Sequence, residues 1–166
     1  MPVTDARAIH RVVVDTNVIV SAALVPGGNS AQLFDQVLES KIILVCAETI
    51  EELRRVLGYD RVTSRIPPGR RDLLVAMVAG AGETVEIAGN RRVVASDPDD
   101  DKFIELAEAG RADCIITADR DLLALRPIGT DVGQTWNDVD WDSSIGPIPI
   151  MRPSELLKAI ELGEAM

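Results

Sequence analysis

The side chains of this sequence best suited to chemistry are acids that follow short apolar runs. Arg11-Val12-Val13-Val14 leads into Asp15, and Cys114-Ile115-Ile116-Thr117-Ala118 leads into Asp119. Between them stand Glu52 and a cluster of Asp97, Asp99, Asp100 and Asp101, with Asp121 just beyond. Taken singly, each is an ordinary surface acid or helix cap. Asp97, before Pro98, reads as a cap, and Asp99 and Asp100 suit the positive end of a helix. Taken together they are costly: two carboxylates about 5 Å apart repel by roughly 3 kcal/mol at an effective dielectric near 20. Four such groups must raise one another's pKa values or recruit a cation. All-oxygen donors suit Mg²⁺ or Mn²⁺ rather than zinc. An ion so held polarises a phosphoryl oxygen and generates hydroxide near neutral pH, which is the chemistry of phosphodiester hydrolysis.

Such a site needs elements that deliver the acids to one place. Arg11–Val14 and Cys114–Thr117 are β-branched or aliphatic runs of the kind buried on both faces of a parallel sheet. Ligands of open α/β sheets collect at the carboxyl ends of the strands, so these two runs are expected to lie close together and aim Asp15 and Asp119 at one pocket. Ile42–Cys46, Thr84–Ile87 and Ile148–Met151 read as further strands. Helices are expected from Ser30 (as N-cap) through Leu38, over Glu48–Leu57 up to Gly58, over Arg71–Ala79, from Asp97 to Ala109, over Asp121–Leu125 and over Pro153–Leu162. A helical turn fits Asn17–Leu24. Glu52 flanks its helix's apolar strip more closely than Glu48 or Glu51, so it is the acid best placed to look inward. Strands alternating with helices give an α/β class with a mostly parallel sheet.

The 166 residues suit a single domain over 1–166. With 46% hydrophobic and 3% aromatic residues, the core is aliphatic. No apolar run approaches the roughly 18 residues of a membrane span, and the N-terminus lacks the charged start and apolar stretch of a signal peptide. Cys46 and Cys114 lie in apolar runs, where a thiol is an inert small hydrophobe. These features point to a cytoplasmic protein. A net charge of −10 argues against broad adhesion to nucleic acid. Yet Arg54, Arg55, Arg61, Arg65, Arg70 and Arg71 face only Asp60 among acids in their segment, either as a solvated helix face and loop or as a rim for phosphates. Residues 131–147, with Trp136 and Trp141, follow neither periodicity. They read as a loop or insertion whose tryptophans meet a partner subunit or fold back onto the sheet.

Other chemistries fail on inventory. The lone histidine, His10, precedes the first strand, which removes Ser-His-Asp and Cys-His catalysis. No Walker A motif occurs, and Gly80-Ala81-Gly82 lacks a third glycine and follows a helix. A phosphoaspartate enzyme of the haloacid-dehalogenase type wants a second Asp where Asn17 stands.

Four stretches in order resemble one family: Asp15-Thr16-Asn17-Val18 with Ser21; Glu52-Leu53-Arg54-Arg55-Val56-Leu57; Asp97-Pro98-Asp99-Asp100-Asp101-Lys102-Phe103; and Thr117-Ala118-Asp119-Arg120-Asp121-Leu122-Leu123. Together they look like a PIN-domain protein, most like the toxins of bacterial and archaeal type II toxin–antitoxin modules. The resemblance implies a three-layer α/β/α sandwich and an endoribonuclease that cleaves RNA with Mg²⁺ or Mn²⁺. It makes Asp15, Glu52, Asp101 and Asp119 the catalytic acids, with Asp15, Asp101 and Asp119 on the metal. Asp101 is chosen over Asp100 because it lies eighteen residues before Asp119, as in the family. Asn17 and Thr117 match the polar positions that orient the first and last acids. Ala118 stands where the family often has Gly. A cognate antitoxin and a homodimer are implied as partners. The rival from another class is a non-catalytic PIN-like binding module, whose acids hold a structural ion or face a protein. A nuclease directed at DNA is the enzymatic rival.

Overall fold

The computed structural model describes residues 6–126 and 139–164. Its centre is a five-stranded parallel sheet in the order β3-β2-β1-β4-β5, built from β1 (Arg11–Val14), β2 (Ile42–Val45), β3 (Glu83–Thr84), β4 (Cys114–Ile116) and β5 (Ile150–Met151). The expected pairing of the two acid-bearing strands is present. Val12 registers with Cys114, Val13 with Ile115 and Val14 with Ile116. The ladder continues into the acid itself, because the Asp15 N–H donates to the Ile116 carbonyl at 2.9 Å. Strand order reverses between β1 and β4: the chain first builds outward from β1 to β2 and β3, then returns to the other side. A crevice at the carboxyl ends of β1 and β4 follows from that reversal.

Alternation along the strands divides the core in two. Val12, Val14, Ile43, Val45, Cys114 and Ile116 face one layer, and Val13, Leu44 and Ile115 face the other. The first layer holds α1 (Thr16–Leu24), α2 (Asn29–Ser40), α3 (Ala47–Leu57), α4 (Asp60–Thr63), α5 (Pro68–Ala81) and α8 (Pro153–Glu164). The second holds α6 (Asp101–Ala109) and α7 (Arg120–Leu123), with the segment containing Val139, Trp141 and Ile148. This is the three-layer α/β/α sandwich. Trp141 folds back into the second core, while Trp136 lies outside the described residues. Cys46 and Cys114 are free, buried thiols.

Several boundaries differ from expectation for local reasons. Helix α2 starts at Asn29 behind Gly28 with no side-chain cap, so Ser30 sits inside it. Helix α5 starts at Pro68, where proline's fixed φ suits the first turn. Asp97 caps a 3₁₀ turn over Pro98–Asp100, which runs into α6. The chain between β3 and that turn has almost no regular structure. Two buried acids of α6 hold it instead. Asp101 Oδ1 accepts from the Val93 and Val94 N–H groups at 2.7 and 2.8 Å, and Glu105 accepts from Gly89 at 2.7 Å and from Arg91. At its other end α6 stops at Gly110, where a Cβ would stand 2.6 Å from Leu44 Cδ1, so glycine lets the helix close on β2. No helix among the described residues is long and apolar enough to cross a membrane.

Candidate metal centre

Asp15 reaches the crevice because β1 ends there, and it doubles as the N-cap of α1, accepting from the Asn17 N–H at 3.4 Å. Asp119 follows β4 and caps α7, its Oδ1 accepting from the Asp121 N–H at 2.8 Å. Thr117 joins the two acids. Its hydroxyl donates to Asp15 Oδ2 at 2.7 Å and accepts from the Asp119 N–H at 2.9 Å. Thr117, expected with Asn17 to orient the first and last acids, thus contacts both Asp15 and Asp119. Asn17 acts on Asp15 through its backbone and lines the same cleft.

The cleft has a volume of about 290 Å³, and its acidic lining is Asp15, Glu52, Asp97, Asp99, Asp100 and Asp119. Asp101 is not among its walls. Its Oδ1 is turned toward the backbone of Val93 and Val94, its Oδ2 is buried without a hydrogen-bond partner, and the residue borders a neighbouring hollow beside Glu105. The eighteen-residue spacing points to Asp101, whereas the acid that lines this cleft is its neighbour Asp100. Successive residues of a helical turn project about 100–120° apart, so at the junction of the 3₁₀ turn with α6 only one of the two neighbours can face the crevice. That one is Asp100.

Asp100 is 6% exposed. Its Oδ2 is buried and meets no donor, and the groups that face it are other carboxylates. Burial, followed by the charges of Asp119, Asp15 and Asp97, pushes its pKa up to about 8. Burial also pushes Asp15 up to about 6, against the bonds from Thr117 and Asn17 and with the charges of Asp119 and Glu52. One carboxylate oxygen from each of Asp97, Asp100, Asp119 and Asp121 lies within 4.8 Å of the others. That is about the span of one cation's oxygen shell, twice a ligand distance of roughly 2.1–2.5 Å. A buried carboxylate oxygen without a donor is expensive unless something positive satisfies it. The donor set therefore fits a hard divalent cation.

Glu52 looks inward, as its flank position suggested, and it arrives already engaged. Thr16 donates to its Oε2, Lys102 Nζ lies 2.8 Å from its Oε1, and Arg55 Nη2 lies 3.6 Å from the same oxygen. Three residues to which the sequence assigned no role thus belong to the site: Thr16 and Lys102, which hold Glu52, and Tyr59, which lines the cleft. Lys102 carried a signal, as the one cation directly following the acidic run Asp97–Asp101. Tyr59 carried none, because it lies beyond Gly58, which ends α3, at the start of α4.

A PIN-domain sequence profile matches residues 11–121, the span from β1 through the acid cluster to α7. The chain is also 32% identical over 120 residues to an uncharacterized protein, MJ1680, of Methanocaldococcus jannaschii, covering 70% of this chain and 75% of that protein. With its nuclease-type fold and its cluster of acids gathered at the strand ends, this chain belongs to the PIN-domain family.

Proposed function

We propose that the protein is a Mg²⁺- or Mn²⁺-dependent endoribonuclease that hydrolyses RNA phosphodiester bonds, and that it serves in the cytoplasm as the toxin of a type II toxin–antitoxin pair. The observation that carries the nuclease reading is the buried, donor-less Asp100 Oδ2 facing Asp15 and Asp119 in one open cleft. Asp100 and Asp119 would hold the ion with Asp97 and Asp121, and Asp15, tied to Asp119 through Thr117, would reach it from the same cleft. A cation bound there supplies Lewis acidity toward a phosphoryl oxygen and lowers the pKa of water. Asp100 gives up its proton on loading, because only the carboxylate is a ligand. Thr117 keeps Asp15 and Asp119 in register, and Glu52, fixed by Thr16 and Lys102, orients the attacking water. Arg55 and Arg61 border the cleft and suit the phosphates on either side of the cut. The toxin role, an antitoxin covering the cleft and a homodimer rest on the likeness of the four motifs to toxin members of the family.

The test is Mn²⁺-dependent cleavage of labelled RNA by Asp15→Asn, Asp100→Asn and Asp101→Asn, with folding checked by circular dichroism. The first two lose more than about 100-fold, while Asp101→Asn stays metal-dependent and active. Full activity in a folded Asp100→Asn variant overturns the ligand assignment. A wild type that cleaves DNA equally well removes the preference for RNA. A wild type that cleaves nothing, yet is stabilised by Mn²⁺ through these acids, is a binding module.

A further inference from the structure

We propose that Tyr59 forms a nucleobase-stacking subsite at the mouth of the acidic cleft; the inference rests on the nuclease reading and assigns that site a substrate-positioning residue. Tyr59 is the chain's only tyrosine, and at 43% exposure it is the one aromatic ring open to solvent among the described residues. Phe34, Phe103 and Trp141 are all buried. A partly exposed ring stands out in a protein so poor in aromatics, and this one lines the cleft with Asp15, Asp100 and Asp119.

Its backbone is held from both sides. The Tyr59 N–H donates to Val56 in the last turn of α3, and the Tyr59 carbonyl accepts from Val62 and Thr63 in α4 at 2.8 and 2.9 Å. Helix α4 is pinned in turn by the fully buried Val62. The ring thus stands on a rigid corner, and a stacking partner loses little freedom on meeting it. Arg55 steers the ring from below, its Nη1 donating to the phenol oxygen at 3.3 Å. A flat π-face beside guanidinium groups takes an unpaired base on the ring and its phosphate on the cations. Bases of a duplex keep their faces stacked on one another and offer none to a lone ring at a cleft mouth.

The experiment measures fluorescence anisotropy of fluorescein-labelled oligoadenylate, its DNA counterpart and a hairpin duplex, with Ca²⁺ replacing Mg²⁺ to prevent turnover. Tyr59→Ala and Tyr59→Leu weaken single-strand binding about tenfold or more, and Tyr59→Phe restores it, since the ring and not the hydroxyl does the stacking. Duplex binding is weak and the same in all four proteins. Comparable losses on RNA and DNA mark a subsite that reads only the base; a loss confined to RNA marks one that also senses the 2′-hydroxyl. Wild-type affinity in Tyr59→Ala, or in Tyr59→Leu, overturns the subsite while Mn²⁺-dependent cleavage keeps the nuclease reading standing. Conversely, an inactive wild type whose single-strand binding still depends on the Tyr59 ring sinks the nuclease reading and keeps the subsite.

Discussion

Asp100 and Asp15 make the metal-free protein pH-sensitive in a definite direction. Both native pKa values, about 8 and about 6, lie above the ordinary 3.8. Between about pH 4 and pH 8 the unfolded chain has shed protons that the native state still holds, so stability falls as pH rises through that window and levels off above it. A divalent cation removes the penalty. Thermal melts with and without Mn²⁺ should diverge as pH goes from 5 to 8. In metal-free protein at pH 8, Asp100→Asn should raise Tm by a few degrees, since 1 kcal/mol is worth about 2–4 °C in a chain of this size; an unchanged or lower Tm contradicts the assigned repulsion. At this scale the sequence was half legible. Asp15 and Asp119 were readable because each follows a buried strand of a recognisable kind, and strand ends have a known address in such folds. Asp100 and Asp101 were not separable. They differ by one step across a change of helix type, and what separates them is the irregular backbone of Val93 and Val94, whose N–H groups Asp101 takes.

Among the elements, α6 does two tasks with one acidic face. The 3₁₀ turn before it presents Asp100 to the crevice, while Asp101 and Glu105 take the backbone of the segment between β3 and that turn. Without those acceptors, four N–H groups lose charged partners. Asp101→Ala and Glu105→Ala should each cost about 1.5–3 kcal/mol and open the chain to trypsin after Arg91 and Arg92, read by mass spectrometry of the early fragments. Protection equal to wild type would show that the segment is held by something else. The core of this architecture was readable in advance, since Val12-Val13-Val14 and Ile42–Val45 could belong to little but a buried sheet. Helix α4 was not. Its four residues are too few to show a period, and what fixes it is Val62 reaching the core.

For the molecule as a whole, a net charge of −10 surrounds a local run of positive side chains. Arg54, Arg55, Arg61, Arg65 and Arg70 are exposed, whereas Arg71 is partly buried against the Leu57 carbonyl. Only Arg55 and Arg61 border the acidic cleft; Arg65 and Arg70 border an apolar groove beside α5. The salt dependence of oligonucleotide binding should therefore be shallow and local. Replacing Arg55 and Arg61 by Gln should reduce the slope of log K against log salt by about 1.4, two single-strand phosphate contacts' worth; an unaltered slope would take both arginines off the backbone. The Glu52–Lys102 ion pair also matters at this scale, because α3 and α6 lie on opposite sides of the sheet. It is a clasp fastened over the rim of the sheet, joining the two layers at the mouth of the cleft. A cation held by the aspartates alone would leave that clasp fastened, so the cleft can fill without its two walls parting.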